Sequence, residues 1–308
     1  MSISIVIPTK NRVRDLTRCL YALSKQSAPS LEIVVIDNGS TDGTWKKLAE
    51  FPAVKAIWDP TPCLPRLFNV GWMASSGEII GFLNDDAEPC ANWVEQVSHW
   101  FQTLPDAGAI GGPMHDLALR RMKTAASRHS LLLRLYDEFL LQGRLDDYGL
   151  QTRWGAYSIG DRGPLEPTLV TALTITNMAV KRSVLEKYSG FDETFQFSNY
   201  DGMLFDVLNR GGVRMYAVPT ASVIHHVNPS GSTRSAFYLA ADYAVFHRKL
   251  SPSGFKERSL LQMNSFASLL FWAHQTIIDR KWYLGEALRG HVAGKRRVMQ
   301  KSWGASHR

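Results

Sequence analysis

The chain has 308 residues, 45% of them hydrophobic and 20% charged, with a formal net charge of +7 and an isoelectric point near 9.3. That balance describes a globular protein able to bury a sizeable core, and it excludes a disordered or low-complexity chain. The basic excess is modest. A solvated surface accounts for it, as does attraction to anions such as nucleotides or phospholipids, while nucleic-acid binding would rest on charge alone and is set aside.

The opening stretch, MSISIVIPTK, lacks the basic start and long apolar run of a signal peptide and reads as a strand over residues 3–7, stopped by Pro8. Residues 15–26 set Leu16, Cys19, Leu20 and Leu23 at helical spacing. A second strand (EIVVI, 32–36) closes on DNGSTDG, and a helix is expected over 44–51. A weaker strand at 54–58, a helix at 67–75 and a third strong strand at 78–83 follow, the last running into NDDAEP with a helix starting near Pro89. Residues 114–163 change character, with Arg120, Arg121, Lys123, Arg128 and Arg134 on a helical, leucine-rich stretch. The sheet returns within 169–180, then come a helical turn at 184–187, a helix over 202–210, strands at 213–218 and 221–224, and the pair His225-His226. The final part reads as helical and basic. Residues 259–278 carry no Asp, Glu, Lys or Arg, yet Gln262, Asn264, His274 and Gln275 are scattered through them. An amphipathic or buried helix fits that better than a membrane span. Cys19, Cys63 and Cys90 stand far apart without a CxxC pair, which indicates neither a disulfide framework nor a zinc site and suits a reducing, cytoplasmic compartment.

Short apolar strands alternating with helices imply an α/β fold with a mostly parallel sheet and helices on both faces. Such sheets bind ligands at the carboxyl ends of their strands. The segments after the three strong strands, 8–12, 37–43 and 84–88, should therefore meet in one crevice. Asp37 and Asp42 have the chemistry to accept hydrogen bonds from a base or ribose, although DNGSTDG is equally a turn and helix cap. Asn84-Asp85-Asp86 offers oxygen ligands for Mg²⁺ or Mn²⁺ held jointly with a diphosphate. Helix capping explains one of those acids less awkwardly than two.

The segments IVIPTKNR, EIVVIDNGSTDGT, LPRLFNVGWMASSGEIIGFLNDDAEP and GFDETF resemble, in order and spacing, the family 2 glycosyltransferases of the GT-A fold. The resemblance spans roughly residues 1–226. It implies a catalytic domain there, with a nucleotide-sugar-binding half at 1–113 and an acceptor-side half at 114–226, and a helical, basic extension at 227–308. It also implies inverting transfer from a UDP-, GDP- or dTDP-linked sugar to a hydroxyl of a glycan, lipid-linked saccharide or small acceptor. Pro8, Thr9, Asn11 and Arg12 match the first nucleotide-binding loop. Asp37 matches the acid that meets the nucleoside, Asp42 shares its loop, and Arg66 borders the donor.

Asn84-Asp85-Asp86 matches the family's Asp-x-Asp position with its first acid lost, leaving Asp86 as the principal metal ligand. The acidic pair that follows Gly190-Phe191-Asp192-Glu193 aligns with Tyr200-Asp201, so Asp201 is the candidate base. One of His225 and His226 is expected at the metal, since strand alternation sends their rings to opposite faces. Trp72, Trp154 and Tyr157 are candidates for sugar stacking and equally for core.

The basic residues Lys281, Arg289, Lys295, Arg296, Arg297, Lys301 and Arg308 are interleaved with Trp282, Leu288, Val292 and Trp303. That composition suits either contact with an anionic membrane surface or an ordinary packing helix. The loss of one acid at Asn84 and another at Tyr200 keeps a second function open, a non-catalytic nucleotide- or glycan-binding protein. The absence of GxGxxG after the first strand argues against an NAD enzyme.

Overall fold

A computed structural model describes residues 1–27, 31–116, 150–151, 157–158, 164–226, 236–250 and 283–305. Most of the 114–163 stretch, Trp154, the 259–278 segment, Lys281, Trp282 and Arg308 lie outside the described residues.

The first half is built from β1 (Ile3–Thr9), α1 (Val13–Ser24), β2 (Leu31–Asp37), α2 (Thr44–Leu48), β3 (Val54–Trp58), α3 (Leu64–Ala74) and β4 (Ile79–Leu83). Next come β5 (Ala87–Pro89), α4 (Trp93–Thr103), β6 (Ala107–Gly111) and β7 (Met114–Asp116). Two short strands, β8 (Leu150–Gln151) and β9 (Tyr157–Ser158), pair with each other. The remainder comprises β10 (Thr168–Val170), β11 (Asn177–Lys181), α5 (Arg182–Tyr188), α6 (Tyr200–Arg210), β12 (Arg214–Ala217), β13 (Val223–His225), α7 (Ala236–Lys249) and α8 (Tyr283–Ala305).

Eight strands form the central sheet in the order β10-β12-β6-β11-β4-β1-β2-β3. The β4-β1-β2-β3 half is parallel, and β11 enters antiparallel between β4 and β6. The expected α/β architecture is therefore present, with the C-terminal part helical. Period-two alternation divides the core into two layers. Ile3, Ile5 and Ile7 of β1 face one layer with Leu16, Leu20, Trp93 and Phe101. Val6, Val34, Ile36, Ile80 and Phe82 face the other with Phe68, Phe191, Tyr200 and Phe205. Sheets buried on both faces read as continuous apolar runs, which is why the three strong strands were legible.

The helix expected near Pro89 begins instead at Trp93, because residues 87–89 form β5. Their backbone pairs antiparallel with β13, and the amide of Cys90 donates to the Ser222 carbonyl at 3.0 Å. A second, three-stranded sheet, β5-β13-β7, results at the lip of the first.

The helices α7 and α8 do not stand apart from the α/β unit. Val245 and Phe246 of α7 are fully buried in the same layer as Phe68 and Phe82. The Lys249 ammonium, at the end of α7, donates to the Asp192 carboxylate and to Thr194 Oγ1 at 3.1 Å, gripping the segment 190–199. Among the described residues no helix is long and apolar enough to cross a membrane.

Because Phe246 belongs to the main core, Phe246→Ala should lower unfolding free energy by about 3–5 kcal/mol. Denaturant titration should still give one cooperative transition; an unchanged main transition would mark the helices as a separate unit. Burial pushes the Asp192 carboxyl up, but Lys249 and the Thr194 hydroxyl and amide outweigh it and hold the group below its ordinary value. The stability from this pairing is then fully present above the ordinary carboxylate range and is lost as pH falls through the depressed pKa. Wild type and Asp192→Asn should accordingly differ most in Tm at neutral pH and converge in strong acid.

Candidate active site

Parallel register brings the loops together. Thr9 pairs with Asp37 at the ends of β1 and β2, and Asp37 with Trp58 at the ends of β2 and β3. The chain therefore leaves three neighbouring strands at one level, and the loop after β4 meets them there. Thr9 Oγ1 donates to Asp85 Oδ2 at 2.8 Å. Arg12 spans both acids, with Nη1 2.9 Å from Asp85 Oδ1 and Nη2 2.8 Å from Asp86 Oδ2. The first and third of the expected loops are thus joined through a guanidinium fork, a geometry suited to carboxylates.

The first two loops are joined as well. The Asn11 amide donates to Ser40 Oγ at 2.8 Å, and Asn11 Oδ1 accepts from the Thr41 amide at 2.7 Å. Asp42 uses both oxygens structurally. Oδ2 accepts from the Val13 amide at the start of α1, and Oδ1 from Thr44 at the start of α2. Two helix starts are satisfied by one carboxylate, so Asp42 shapes the loop. Pro8 is buried in β1 and contributes backbone only.

Asp37 differs from these residues. It is fully buried, its Oδ1 accepts from the Ser40 amide at 3.0 Å, and its Oδ2 has no hydrogen-bond partner. A buried acceptor left unsatisfied costs roughly 1–3 kcal/mol, so such atoms point to a missing donor.

Asp85 and Asp86 behave as an unequal pair. Burial, with Asp86 adding repulsion against the pull of Arg12, pushes the Asp85 carboxyl up to about 7. Burial also raises Asp86, but the His225 imidazole and Arg12 outweigh it and keep that group below the ordinary value. His225 arrives through the small sheet, where it is the register partner of Ala87, and its Nε2 stands 3.2 Å from Asp86 Oδ1. That oxygen accepts no well-aligned hydrogen bond. His226 turns the other way, with Nε2 2.7 Å from Glu88 Oε2, while its amide donates to the Asp86 carbonyl at 2.9 Å. Of the two histidines, the structure brings His225 to Asp86.

The remaining candidates divide between site and scaffold. Asn84 Nδ2 donates to Thr176 Oγ1 at 3.0 Å, beside the lead into β11. Arg66 is half-exposed, with Nε 2.9 Å from Asp59 Oδ2 and Nη1 3.9 Å from Glu193. Trp72 is core, its Nε1 donating to Asn69 Oδ1 at 3.1 Å. Asn69 also receives the Phe191 amide and donates to the Phe191 carbonyl and Glu193 Oε1, so GFDETF is a scaffold motif. Asp201 is buried in the first turn of α6, where Oδ1 accepts from the Gly202 amide at 2.9 Å. Tyr200 packs its ring 5.9 Å from Phe68 and 5.7 Å from Phe191, so in place of an acid this position carries a core aromatic.

Sequence reasoning missed Asp242 and placed Arg297 only among the basic residues of the C-terminal part. Asp242 has a fully buried side chain that accepts from the amides of Gln196, Phe197 and Ser198 and pairs with Arg297 at 2.9 Å. One signal was present: a lone acid in the apolar run AFYLAADYAVF.

Residues 4–169, more than half of the chain, match the family described as Glycosyl transferase family 2. The O-antigen biosynthesis protein RfbC of Myxococcus xanthus is 28% identical over 270 residues, which cover 82% of this chain and 20% of that protein. The glycosyltransferase AglE of Haloferax volcanii is 33% identical over 167 residues, 48% of this chain and 55% of that one. An N-acetylglucosaminyl-diphospho-decaprenol L-rhamnosyltransferase of Mycobacterium tuberculosis is 27% identical over 265 residues, 78% of this chain and 80% of that one. The chain thus spans about a fifth of the Myxococcus protein and just over half of the Haloferax one.

Among solved structures, the mannosyltransferase PcManGT of Pyrobaculum calidifontis, in complex with GDP-Man and Mn²⁺, superposes with a TM-score of 0.57 at 17% identity, covering 99% of this chain and 79% of that one. Residues 1–349 of S. aureus TarS with UDP-GlcNAc give 0.57 at 14% identity, covering 100% and 93%. The fold is GT-A, and with the family match over β1 to β10 the chain belongs to the family 2 glycosyltransferases.

Proposed function

We propose that the protein is an inverting, metal-assisted glycosyltransferase that moves a hexosyl or deoxyhexosyl unit from a nucleotide sugar to a hydroxyl of a glycan or lipid-linked saccharide. The observation that carries this reading is the orphaned Asp37 Oδ2 at the carboxyl edge of the parallel sheet. A nucleoside N–H or ribose O–H is the donor it lacks. The names of the relatives support the acceptor class, since one refers to O-antigen biosynthesis and another to transfer onto a diphospho-decaprenol glycan. GDP-Man and UDP-GlcNAc in the structural neighbours support a UDP-, GDP- or dTDP-linked donor.

Asp37 receives the nucleoside in a loop shaped by Asn11 and Asp42. Arg12 and Thr9 hold Asp85, and through Arg12 they orient Asp86. Arg66 keeps guanidinium donors beyond its bond to Asp59 and turns them to the diphosphate. Asp86 Oδ1 and His225 Nε2 are the pair that would hold Mg²⁺ or Mn²⁺. Their 3.2 Å separation is short enough for both to reach one ion. Among the described residues no cluster of three or more acidic, His or Cys groups forms a protein cage. Substrate diphosphate oxygens and water would complete such a half-site, and its imidazole favours Mn²⁺ over Mg²⁺.

Held by Asp86 and His225, a divalent cation would supply positive charge against the departing nucleoside diphosphate. Asp201 takes the proton of the acceptor hydroxyl as that oxygen attacks the anomeric carbon opposite the leaving group. The reaction belongs on the cytoplasmic side, where nucleotide sugars are supplied. Exposed Leu288 and Val292 beside Arg289, Lys295 and Arg296 on α8 suit an anionic membrane carrying a lipid-linked acceptor.

A nucleotide-sugar panel read by thermal shift with Mn²⁺ should raise Tm for at least one donor. Asp37→Ala should lose that shift, and Asp86→Ala should lose its dependence on Mn²⁺. Asp201→Asn should keep donor binding while kcat falls by about 10²–10⁴-fold. No shift with any nucleotide would sink the donor site. Binding without turnover across donors and acceptors would favour the non-catalytic reading that Tyr200 and Asn84 suggest. Co-sedimentation with phosphatidylserine vesicles should weaken by about tenfold or more in Arg289→Ala/Arg296→Ala; equal binding would remove the membrane role.

A further inference from the structure

The C-terminal helix pair grips the backbone that leads into the proposed base. Asp242 of α7 is fully buried, yet it carries a charge's worth of hydrogen bonds. Its Oδ2 accepts from the amides of Gln196 at 3.1 Å, Phe197 at 2.6 Å and Ser198 at 2.9 Å. Its Oδ1 accepts from the Gln196 amide at 3.0 Å and from Arg297 Nη1 at 2.9 Å. Arg297 Nη2 then donates to Gln196 Oε1 at 2.8 Å, so one guanidinium touches both the clamp and the loop it holds. Consecutive amides converging on a carboxylate form an anion-binding nest, here filled by the protein's own side chain.

The sequence of α8 makes this reach possible. Ala287, Gly290, Gly294 and Arg297 recur at helical spacing along one face. A Cβ on Gly290 would stand 2.0 Å from the Phe237 carbonyl oxygen, and one on Gly294 2.0 Å from that of Ala241. The two helices are therefore as close as backbone permits where Arg297 must cross to the residue after Ala241.

The far side of the loop is pinned too, by the Leu64 amide of α3 donating to the Gln196 carbonyl at 2.7 Å. Asn199, the cap of α6, lies in the left-handed region at φ 58°, and its carbonyl accepts from the Met203 amide at 3.0 Å. A non-glycine residue persists there only where its surroundings fix it. Displacement at 196–198 thus passes directly into the first turn of α6, which carries Asp201.

We propose that Asp242 and Arg297 are positioning residues for glycosyl transfer, setting the Asp201 carboxylate against the acceptor by clamping the amides of residues 196–198. This rests on the reading of Asp201 as the base. It assigns the helical extension a part in the chemistry, in addition to any membrane contact.

The test compares steady-state transfer with donor affinity in Arg297→Met and Arg297→Lys, alongside Asp201→Asn. Arg297→Met should lower kcat by about 10–100-fold, the cost of a misplacement near 1 Å. Donor KM and nucleotide affinity should stay within about twofold, because Asp37 and Asp86 lie on other loops, a split that general loosening of the fold would not give. Arg297→Lys, which keeps the charge and loses the fork, should recover part of kcat. Full kcat in a folded Arg297→Met, or parallel loss of kcat and nucleotide affinity, would overturn the clamp. If that variant does not fold, full kcat in Arg297→Lys overturns it, and reduced kcat with normal donor affinity supports it. Full activity in Asp201→Asn would instead remove the base assignment and this proposal together.

Discussion

Two carboxylates buried side by side just beyond the end of a central strand are a costly arrangement, and Arg12 makes it tenable. Each of its terminal nitrogens takes one acid, 2.9 Å from Asp85 and 2.8 Å from Asp86. The planar fork fixes the two carboxylates relative to each other as well as offsetting part of their charge, and a lysine point charge would not fix them in this way. Most of the crevice follows from that. Asp85 is tied back to Thr9 on β1, so its charge serves the scaffold. Asp86 is left with one oxygen turned to His225. An arginine in the first loop is thus a structural cross-brace between the loops that follow β1 and β4.

The parallel half of the fold was legible because its strands are buried on both faces and announce themselves as unbroken apolar runs. The loops were legible because polar residues concentrated after such strands have few places to go other than the sheet's carboxyl edge. Chemistry within each loop was less readable. Asp37 and Asp42 stand five residues apart in one turn, yet the first leaves an oxygen orphaned and the second spends both on helix starts. Sequence spacing does not distinguish a carboxylate facing inward from one wrapped around its own loop. The choice between His225 and His226 depended likewise on β13 pairing with β5, and β5 was itself mistaken for the approach to a helix.

Beyond residue 226 the sequence carried composition and little else. A buried acid paired with an arginine 55 positions later has no local signature, since the helices that bring them together meet through backbone contact at glycines. What reads as a basic tail supplies part of the main hydrophobic layer through Val245 and Phe246. The same blindness affects Tyr200. As a missing acid it suggests impairment, whereas in place it completes, from the first turn of α6, an aromatic cluster with Phe68, Phe82 and Phe191.

The antiparallel insertion of β11 has a consequence for how the molecule comes to exist. β4 and β6 share no ladder; residues 177–181 bridge them, joining Gly81 and Ile110 through Ala179. During synthesis β4 emerges with one edge unpaired and stays so for roughly a hundred further residues, several seconds at about 5–20 residues per second. An open, wholly apolar edge is the kind of template on which chains associate wrongly. The strand that completes the sheet also carries Asn177, whose amide ties the carbonyls of Pro113 and Ala221 together. The strand that closes the sheet thus also ties down the segments that lead into β7 and β13, so sheet closure and the placing of His225 are geometrically coupled.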